Sequence, residues 1–146
     1  MFGRKKNHPE APKQAQLLKL YLSASMPLVL AKCSNPCVRV GVQVFILGMA
    51  DMFRQAERLD WGQFVTIYSA ALSEYDLLPP KGVEAFVEKV GATASNNADV
   101  AKLMRYGAQS IRMYVVERDA QAPTDLISVA LFSEENAPSL KDLASA

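Results

Sequence analysis

Few residues in this chain have the type and spacing needed for acid–base or nucleophilic chemistry. The only histidine is His8, which follows a short basic segment near the N-terminus. A Ser-His-Asp or Cys-His arrangement needs an ordered histidine beside its nucleophile, and H-E-x-x-H zinc motifs need a second histidine. The seven glycines are scattered and form no phosphate-binding loop. The sequence therefore predicts no catalytic site, no metal site and no cofactor.

The two cysteines, Cys33 and Cys37, are separated by three residues across a predicted helix junction. Two cysteines are too few for a disulfide scaffold, so buried structural thiols are the simplest interpretation. A regulatory disulfide remains open, because a turn can bring two Cα atoms within about 7 Å. A zinc site would need two further ligands, for which the sequence offers no candidate.

A basic cluster, Arg4, Lys5 and Lys6, precedes the first apolar segment. Such a cluster can contact phosphates on an anionic membrane, where three or four basic residues contribute about 3–4 kcal/mol. That binding would be marginal and sensitive to salt, and a solubilising tail is the alternative interpretation. Nucleic acid receives little support, because the later part of the chain is acidic.

A small surface patch is predicted on the fifth helix. Arg105 and Arg112 are seven residues apart and share one side of that helix, and Tyr106 lies beside the apolar stripe rather than on it. An exposed tyrosine is a reasonable anchor for a protein interface. These three residues are therefore predicted interface residues, although the patch is too small for a basic groove.

Length and composition indicate one folded domain. The chain has 146 residues, of which half are hydrophobic and about a fifth are charged, as in ordinary globular proteins. Residues 1–58 contain nine basic and three acidic residues, and residues 59–146 contain seven basic and twelve acidic residues. The longest apolar stretch, Leu20–Ala31, is shorter than the roughly 20 residues that span a bilayer. We therefore expect a cytoplasmic protein without a transmembrane segment.

Hydrophobic periodicity predicts an all-α, single-domain bundle of five to seven helices with short connections. The prediction comprises a flexible basic tail over residues 1–12 and a helical domain over 13–146. Asp60 and Gln63 form a capping-box pattern, and Asn35 precedes a proline in the favoured first helical position. Gly91 is predicted to end the fourth helix in the left-handed conformation.

Two segments are ambiguous between helix and strand. Residues 38–44 alternate valine with other residues, as a strand does, but the apolar spacing over 38–58 is helical, and its length favours one helix. Residues 110–117 and 126–132 are rich in β-branched side chains and could instead form a hairpin. Pro27 is predicted to kink or restart the first helix, with Ser25 as a cap.

The absence of catalytic groups beside several amphipathic helices favours a non-enzymatic protein–protein interaction or regulatory module. An exposed apolar face on the helix over 38–58 would allow this protein to dimerise. Two alternatives remain open from the sequence. One is an adaptor that touches an anionic membrane or nucleic acid through the basic tail. The other is a sensor of small apolar ligands.

Overall fold

The longest buried element is a helix whose start is fixed by its own sequence. In the computed structural model, which describes residues 10–144 and the side chains of 13–144, Asn35 Oδ1 accepts hydrogen bonds from the amides of Cys37 and Val38. Pro36 occupies the first helical position, where a missing N–H costs nothing. Val38–Val44 is therefore helical, as the longer apolar spacing predicts.

The described residues form an all-α single domain of seven α-helices, with no strand among them. The predicted bundle is thus confirmed, and the hairpin alternative is wrong because both of its segments are helical. The helices are α1 (Glu10–Val29), α2 (Pro36–Glu57), α3 (Trp61–Glu74), α4 (Val83–Ala94), α5 (Ala98–Val115), α6 (Asp125–Glu135) and α7 (Ala137–Ala144). Short 3₁₀ turns cover Leu30–Ser34, Pro80–Gly82 and Ala122–Thr124.

Helix α2 is the centre of the bundle, and α3, α5, α6 and α7 all pack against it. Its closest neighbour is α5, because glycines face backbone on both sides of the crossing. A Cβ at Gly48 would collide with the Met104 carbonyl, and a Cβ at Gly107 would collide with the Phe45 carbonyl. The backbones of α2 and α5 therefore pack closely at these two glycines.

Helix α3 begins at the predicted capping box. Asp60 Oδ1 accepts from the Gln63 amide at 2.8 Å, and the Gln63 side chain accepts from the Asp60 amide at 2.9 Å. The buried Tyr68 on α3 donates to the Gln43 carbonyl oxygen of α2 at 2.7 Å. The side-chain amide of Gln43 in turn donates to the Leu77 carbonyl oxygen. This chain of hydrogen bonds fixes α3 against α2.

Two local predictions differ from the structure. Helix α1 continues through Pro27 to Val29 before tightening into the 3₁₀ turn, and Ser25 donates to the Tyr21 carbonyl oxygen instead of capping a new helix. Helix α4 passes through Gly91 to Ala94, so Gly91 is not a left-handed cap. The predicted tail over residues 1–12 stays a prediction, because α1 begins at Glu10 and residues 1–9 lie outside the described residues.

Candidate interaction surface

Seven large hydrophobic side chains are exposed among the residues that the structure describes, and five of them lie on α1, its following 3₁₀ turn and α6. The five residues on α1, its following 3₁₀ turn and α6 are Leu20, Leu28, Leu30, Ile127 and Leu131. The other two, Trp61 and Val116, lie elsewhere. We call the five residues the α1–α6 face.

Helices α1 and α6 lie side by side and run in the same direction. The Tyr21 hydroxyl is 3.1 Å from the Ala122 carbonyl oxygen, just before α6 begins. Farther along both elements, Lys32 Nζ lies 3.5 Å from Glu134 Oε1. Because these two contacts occur in the same order along both helices, α1 and α6 are parallel neighbours in the bundle.

A polar network inside the bundle fixes the inner sides of these helices. The buried Tyr21 hydroxyl lies 2.6 Å from Ser110 Oγ of α5, and Ser110 donates to Asp125 Oδ2 of α6 at 2.8 Å. Burial raises the pKa of Tyr21 well above its usual value. Since burial favours the neutral hydroxyl, Tyr21 is a structural hydrogen-bonding group that joins three helices.

Charge is divided between the two helices that form the α1–α6 face. From Lys13 to Ser34 the charged residues are Lys13, Lys19 and Lys32, all of them basic. Helix α6 carries Asp125, Glu134 and Glu135, all of them acidic. Between Lys19 and Lys32 there is a stretch of twelve residues without a charge. Lys32 and Glu134 pair with each other, Asp125 belongs to the internal network, and Lys19 lines a groove between α1 and α3.

A groove of about 340 Å³ lies beside the exposed Trp61. Its polar groups are paired with one another: Arg54 Nε donates to Asp51 Oδ1 at 2.7 Å, and Trp61 Nε1 donates to Glu84 Oε2 at 3.2 Å. The Arg54 guanidinium also lies 5.8 Å from the centre of the Phe64 ring. These contacts hold α2, α3 and α4 together, so the α1–α6 face is the stronger candidate for docking.

The residues predicted from the sequence to form a surface patch lie along α5. Arg105 and Arg112 are exposed, whereas Tyr106 is only half-exposed. The Tyr106 ring packs edge-on against Phe45 with 5.4 Å between centroids. Its hydroxyl interacts with the side chains of Ser128 and Asp125, and burial raises its pKa. Tyr106 thus bridges α5 and α6, and the interface assigned to these three residues stays a prediction.

The other predicted site residues are divided between described and undescribed parts of the chain. Arg4, Lys5 and Lys6 lie outside the described residues. Cys33 is buried, Cys37 is partly buried, and both are free thiols. Burial raises the pKa of Cys33, and the Cys37 thiol lies 3.6 Å from the Ala137 carbonyl oxygen. A redox pairing of the two cysteines stays a prediction.

The expected dimer surface on the helix over 38–58 is wrong. That helix is α2, the core helix, and most of its apolar residues are buried against other helices. The exposed apolar residues lie on α1 and α6 instead. The signal available in the sequence was the run Leu20–Ala31, which has apolar residues on opposite sides of one helix. A helix with apolar residues on every side is expected to be buried on every side.

By length and composition, two helices would be able to cross a membrane: residues 13–34 and α2. The apolar window of α2 is 72% buried within the bundle, as expected of a core helix, whereas that of residues 13–34 is 39% buried. This test is weak evidence for a membrane span, because core helices also meet it. It does show that much of α1 is apolar and left uncovered by the other residues that the structure describes.

Among the residues that the structure describes, no group of three or more histidine, cysteine or carboxylate side chains is arranged to hold a metal ion. Comparisons of the chain with protein-family models, with curated proteins and with solved structures found no match.

Proposed function

We propose that this protein is a non-enzymatic helical interaction module that binds a protein partner through the α1–α6 face. The observation that carries the proposal is that α1, its 3₁₀ turn and α6 hold five of the seven large hydrophobic side chains that are exposed among the described residues. Contiguous apolar patches of this kind mark interaction sites more often than they occur by chance on a monomer. Scattered single residues would carry no such argument.

The polar groups of the fold support a non-enzymatic role. Tyr21 and Ser110 hydrogen-bond each other inside the bundle, and both are almost fully buried. Gln43 and Tyr68 are likewise buried and joined by hydrogen bonds. A catalytic group must reach its substrate, and these groups instead hold helices together.

The expected affinity is modest. Each of the five side chains is already about half buried, so covering the remainder contributes about 1 kcal/mol per side chain. Association itself costs at least about 4 kcal/mol, so the polar rim must supply part of the net affinity. We therefore expect reversible binding that depends on salt.

Photo-cross-linking tests the proposal in the native cell. The substitution Leu28→p-benzoylphenylalanine places a reactive group on the face, and the matched control places it at Glu88, which is exposed on α4. We expect light-dependent adducts of defined mass from position 28, and we expect Leu131→Lys to abolish them. Equal adduct formation from both positions, or none from position 28, would contradict the proposal.

A further inference from the structure

We infer that a slot between α5 and α6 binds a small aromatic carboxylate, with the ligand ring between Tyr106 and Phe132 and its carboxylate at the Lys102 ammonium. None of the five residues of the α1–α6 face lines this slot. The inference therefore goes beyond the proposed function and is tested independently of it. It also gives a role to Tyr106, which the sequence marks as lying beside the apolar stripe of α5.

Helices α5 and α6 both pack on α2, and a slot of about 180 Å³ lies between them. Its lining consists of Lys102, Leu103 and Tyr106 from α5, with Ser128 and Phe132 from α6. An apolar cavity of about 150 Å³ is enough to hold one benzene molecule. The slot therefore has room for a single aromatic ring with a short substituent.

The walls of the slot are mainly apolar and include two aromatic rings. Leu103 is buried, whereas Tyr106 and Phe132 are partly buried and present part of their rings to the slot. Aromatic rings attract one another in edge-to-face and offset arrangements, with centroids about 4.5–7 Å apart. A ligand ring in the slot can make such contacts with both side chains, which favours an aromatic ligand over an aliphatic one.

Tyr106 is held in place without a ligand. Its ring packs edge-on against the buried Phe45 of α2, with 5.4 Å between centroids. Its hydroxyl forms hydrogen bonds with the side chains of Ser128 and Asp125. A wall that is already fixed loses little conformational entropy when a ligand binds. Because the hydroxyl has partners, Tyr106 contributes its ring, rather than a polar contact, to the ligand.

The charge of the lining selects an anion. Lys102 is the one charged residue among the described residues that line the slot. Its ammonium lies 5.1 Å from the centre of the Phe132 ring and forms no ion pair with a described residue. Asp125 does not line the slot, and its carboxylate accepts a hydrogen bond from Ser110. A ligand carboxylate therefore meets an opposite charge, whereas a ligand ammonium is repelled.

The larger groove between α1 and α3 does not select a ligand by charge in this way. That groove is lined by both Lys19 and Glu74, one on each helix. Opposite charges on its two walls suit an acid and a base equally. The slot between α5 and α6 is smaller, but its single cation and two aromatic rings specify one class of ligand.

The first experiment is an NMR titration of the full chain with phenylacetate, phenylacetamide and phenethylamine. These probes share a phenyl ring and differ in charge. We expect phenylacetate to shift the backbone amides of residues 102–106 and 128–132, with a dissociation constant of about 1–10 mM for so small a ligand. The neutral amide should bind about two- to fivefold more weakly, the factor that one exposed ion pair contributes. The amine should bind more weakly still.

The substitution Lys102→Met tests the charge, because methionine keeps an apolar side chain without the ammonium. The acid and the amide should then bind equally well. The matched control is Arg105→Met, which removes an exposed cation of α5 that does not line the slot and should leave the preference for the acid unchanged. Loss of the preference in both variants would show that overall charge attracts the acid, and would overturn the inference.

Substitutions of Ser128 test the location of the ligand. Ser128→Leu fills the slot and should abolish binding of all three probes, whereas Ser128→Ala keeps the space and should still bind phenylacetate. Ser128 is exposed on α6, and circular dichroism establishes that both variants are folded. Undiminished binding to the leucine variant, or shifts confined to other parts of the chain, would overturn the assigned site.

The outcomes separate this inference from the proposed function. Equal binding of the acid and the amide to the native chain, or no binding of phenylacetate, would overturn the slot as a carboxylate site. Neither result bears on the α1–α6 face, which photo-cross-linking tests. A chain that gives specific adducts from position 28 and does not bind phenylacetate would leave the interaction module standing without the ligand site.

Discussion

Helices α1 and α2 have similar length and similar apolar character, but the bundle covers them to different extents. The apolar window of α2 is 72% buried, and that of residues 13–34 is 39% buried. Five other helices contact α2, whereas four contact α1 and leave Leu20 and Leu28 exposed on its outer side. The comparison teaches that hydrophobicity alone does not decide which helix is the core. It also locates apolar side chains of α1 that the described part of the chain leaves exposed.

The difference arises partly from small residues on α2. Gly48 and Gly107 allow the backbones of α2 and α5 to approach closely, and Gly41 accommodates Ser133 of α6. Close backbone approach lets neighbouring helices surround α2. On the outer side of α1 the leucines project without a facing helix, so this side stays available to a partner.

The largest expected effect is a difference in unfolding free energy between substitutions on the two sides of α1. Leu18 is 1% exposed and Leu20 is 47% exposed, two residues apart in the same helix. Leu18→Ala should lower the free energy of unfolding by about 2–5 kcal/mol, because it leaves a cavity. Leu20→Ala should change it by less than about 0.5 kcal/mol, because no cavity forms. Urea denaturation of dilute protein measures both, and equal losses would contradict the assigned orientation of α1.

The next prediction tests whether the close crossing of α2 and α5 depends on glycine. Gly48→Ala should destabilise the fold by about 1–3 kcal/mol, because the new methyl group meets the Met104 carbonyl and forces α2 and α5 apart. Gly91 is the matched control: it is also helical, but a Cβ there meets nothing within 4 Å. Gly91→Ala should stabilise α4 by about 0.5–1 kcal/mol. Thermal unfolding of the pair distinguishes these signs, and stabilisation by both substitutions would refute the close crossing.

Alkaline titration probes the tyrosines that join α1 and α2 to the core. Burial raises the pKa of Tyr21 and Tyr68 in the folded chain, whereas both have a pKa near 10 when unfolded. Below pH 10 both tyrosines are protonated in the folded and the unfolded chain, and their contribution to stability is complete. Above it only the unfolded state loses protons, so the stability falls by about 1.4 kcal/mol per pH unit for each tyrosine.

Replacing one of these tyrosines isolates the contribution of that residue to the pH dependence of the unfolding free energy. Tyr68→Phe should make the decline in unfolding free energy above pH 10 shallower by the contribution of one group. Denaturation curves of the native and variant chains at a series of alkaline pH values measure the two slopes. Parallel slopes would show that Tyr68 ionises equally in both states, contrary to its burial.

The smallest effect concerns the start of α3, which packs against both α1 and α2. Asp60→Ala removes the acceptor for the Gln63 amide and should cost about 1 kcal/mol of stability. Asp60→Asn keeps an acceptor oxygen and should retain most of that stability. Urea midpoints of the two variants provide the comparison. Equal losses would mean that the carboxylate acts through its charge rather than as a cap.

Local signals in the sequence predicted most of the fold. Asn35 with Pro36, and Asp60 with Gln63, mark two helix starts that the structure confirms. These predictions succeed because capping hydrogen bonds join residues two or three positions apart. The valine-rich start of α2 was also assigned correctly, because its apolar spacing extends over more residues than a strand needs.

Burial could not be predicted in the same way, because it depends on contacts between distant parts of the chain. Alternating and helical spacings make α2 look amphipathic, but helices that follow later in the sequence cover nearly all of it. Glycine often ends a helix, but α4 continues through Gly91 to Ala94. The α1–α6 face joins residues about 100 positions apart, so only the fold brings them together.

Hydroxyl-radical footprinting of the α1–α6 face tests the account most directly. We expect side-chain oxidation at Leu28 and Leu131 to fall as the concentration of the native partner pool rises, because a partner covers them. Trp61 and Val116, which are also exposed but lie off the face, should be oxidised equally at every concentration. Unchanged oxidation at Leu28 and Leu131 over the whole range, with or without the native partner pool, would contradict a docking role for this face.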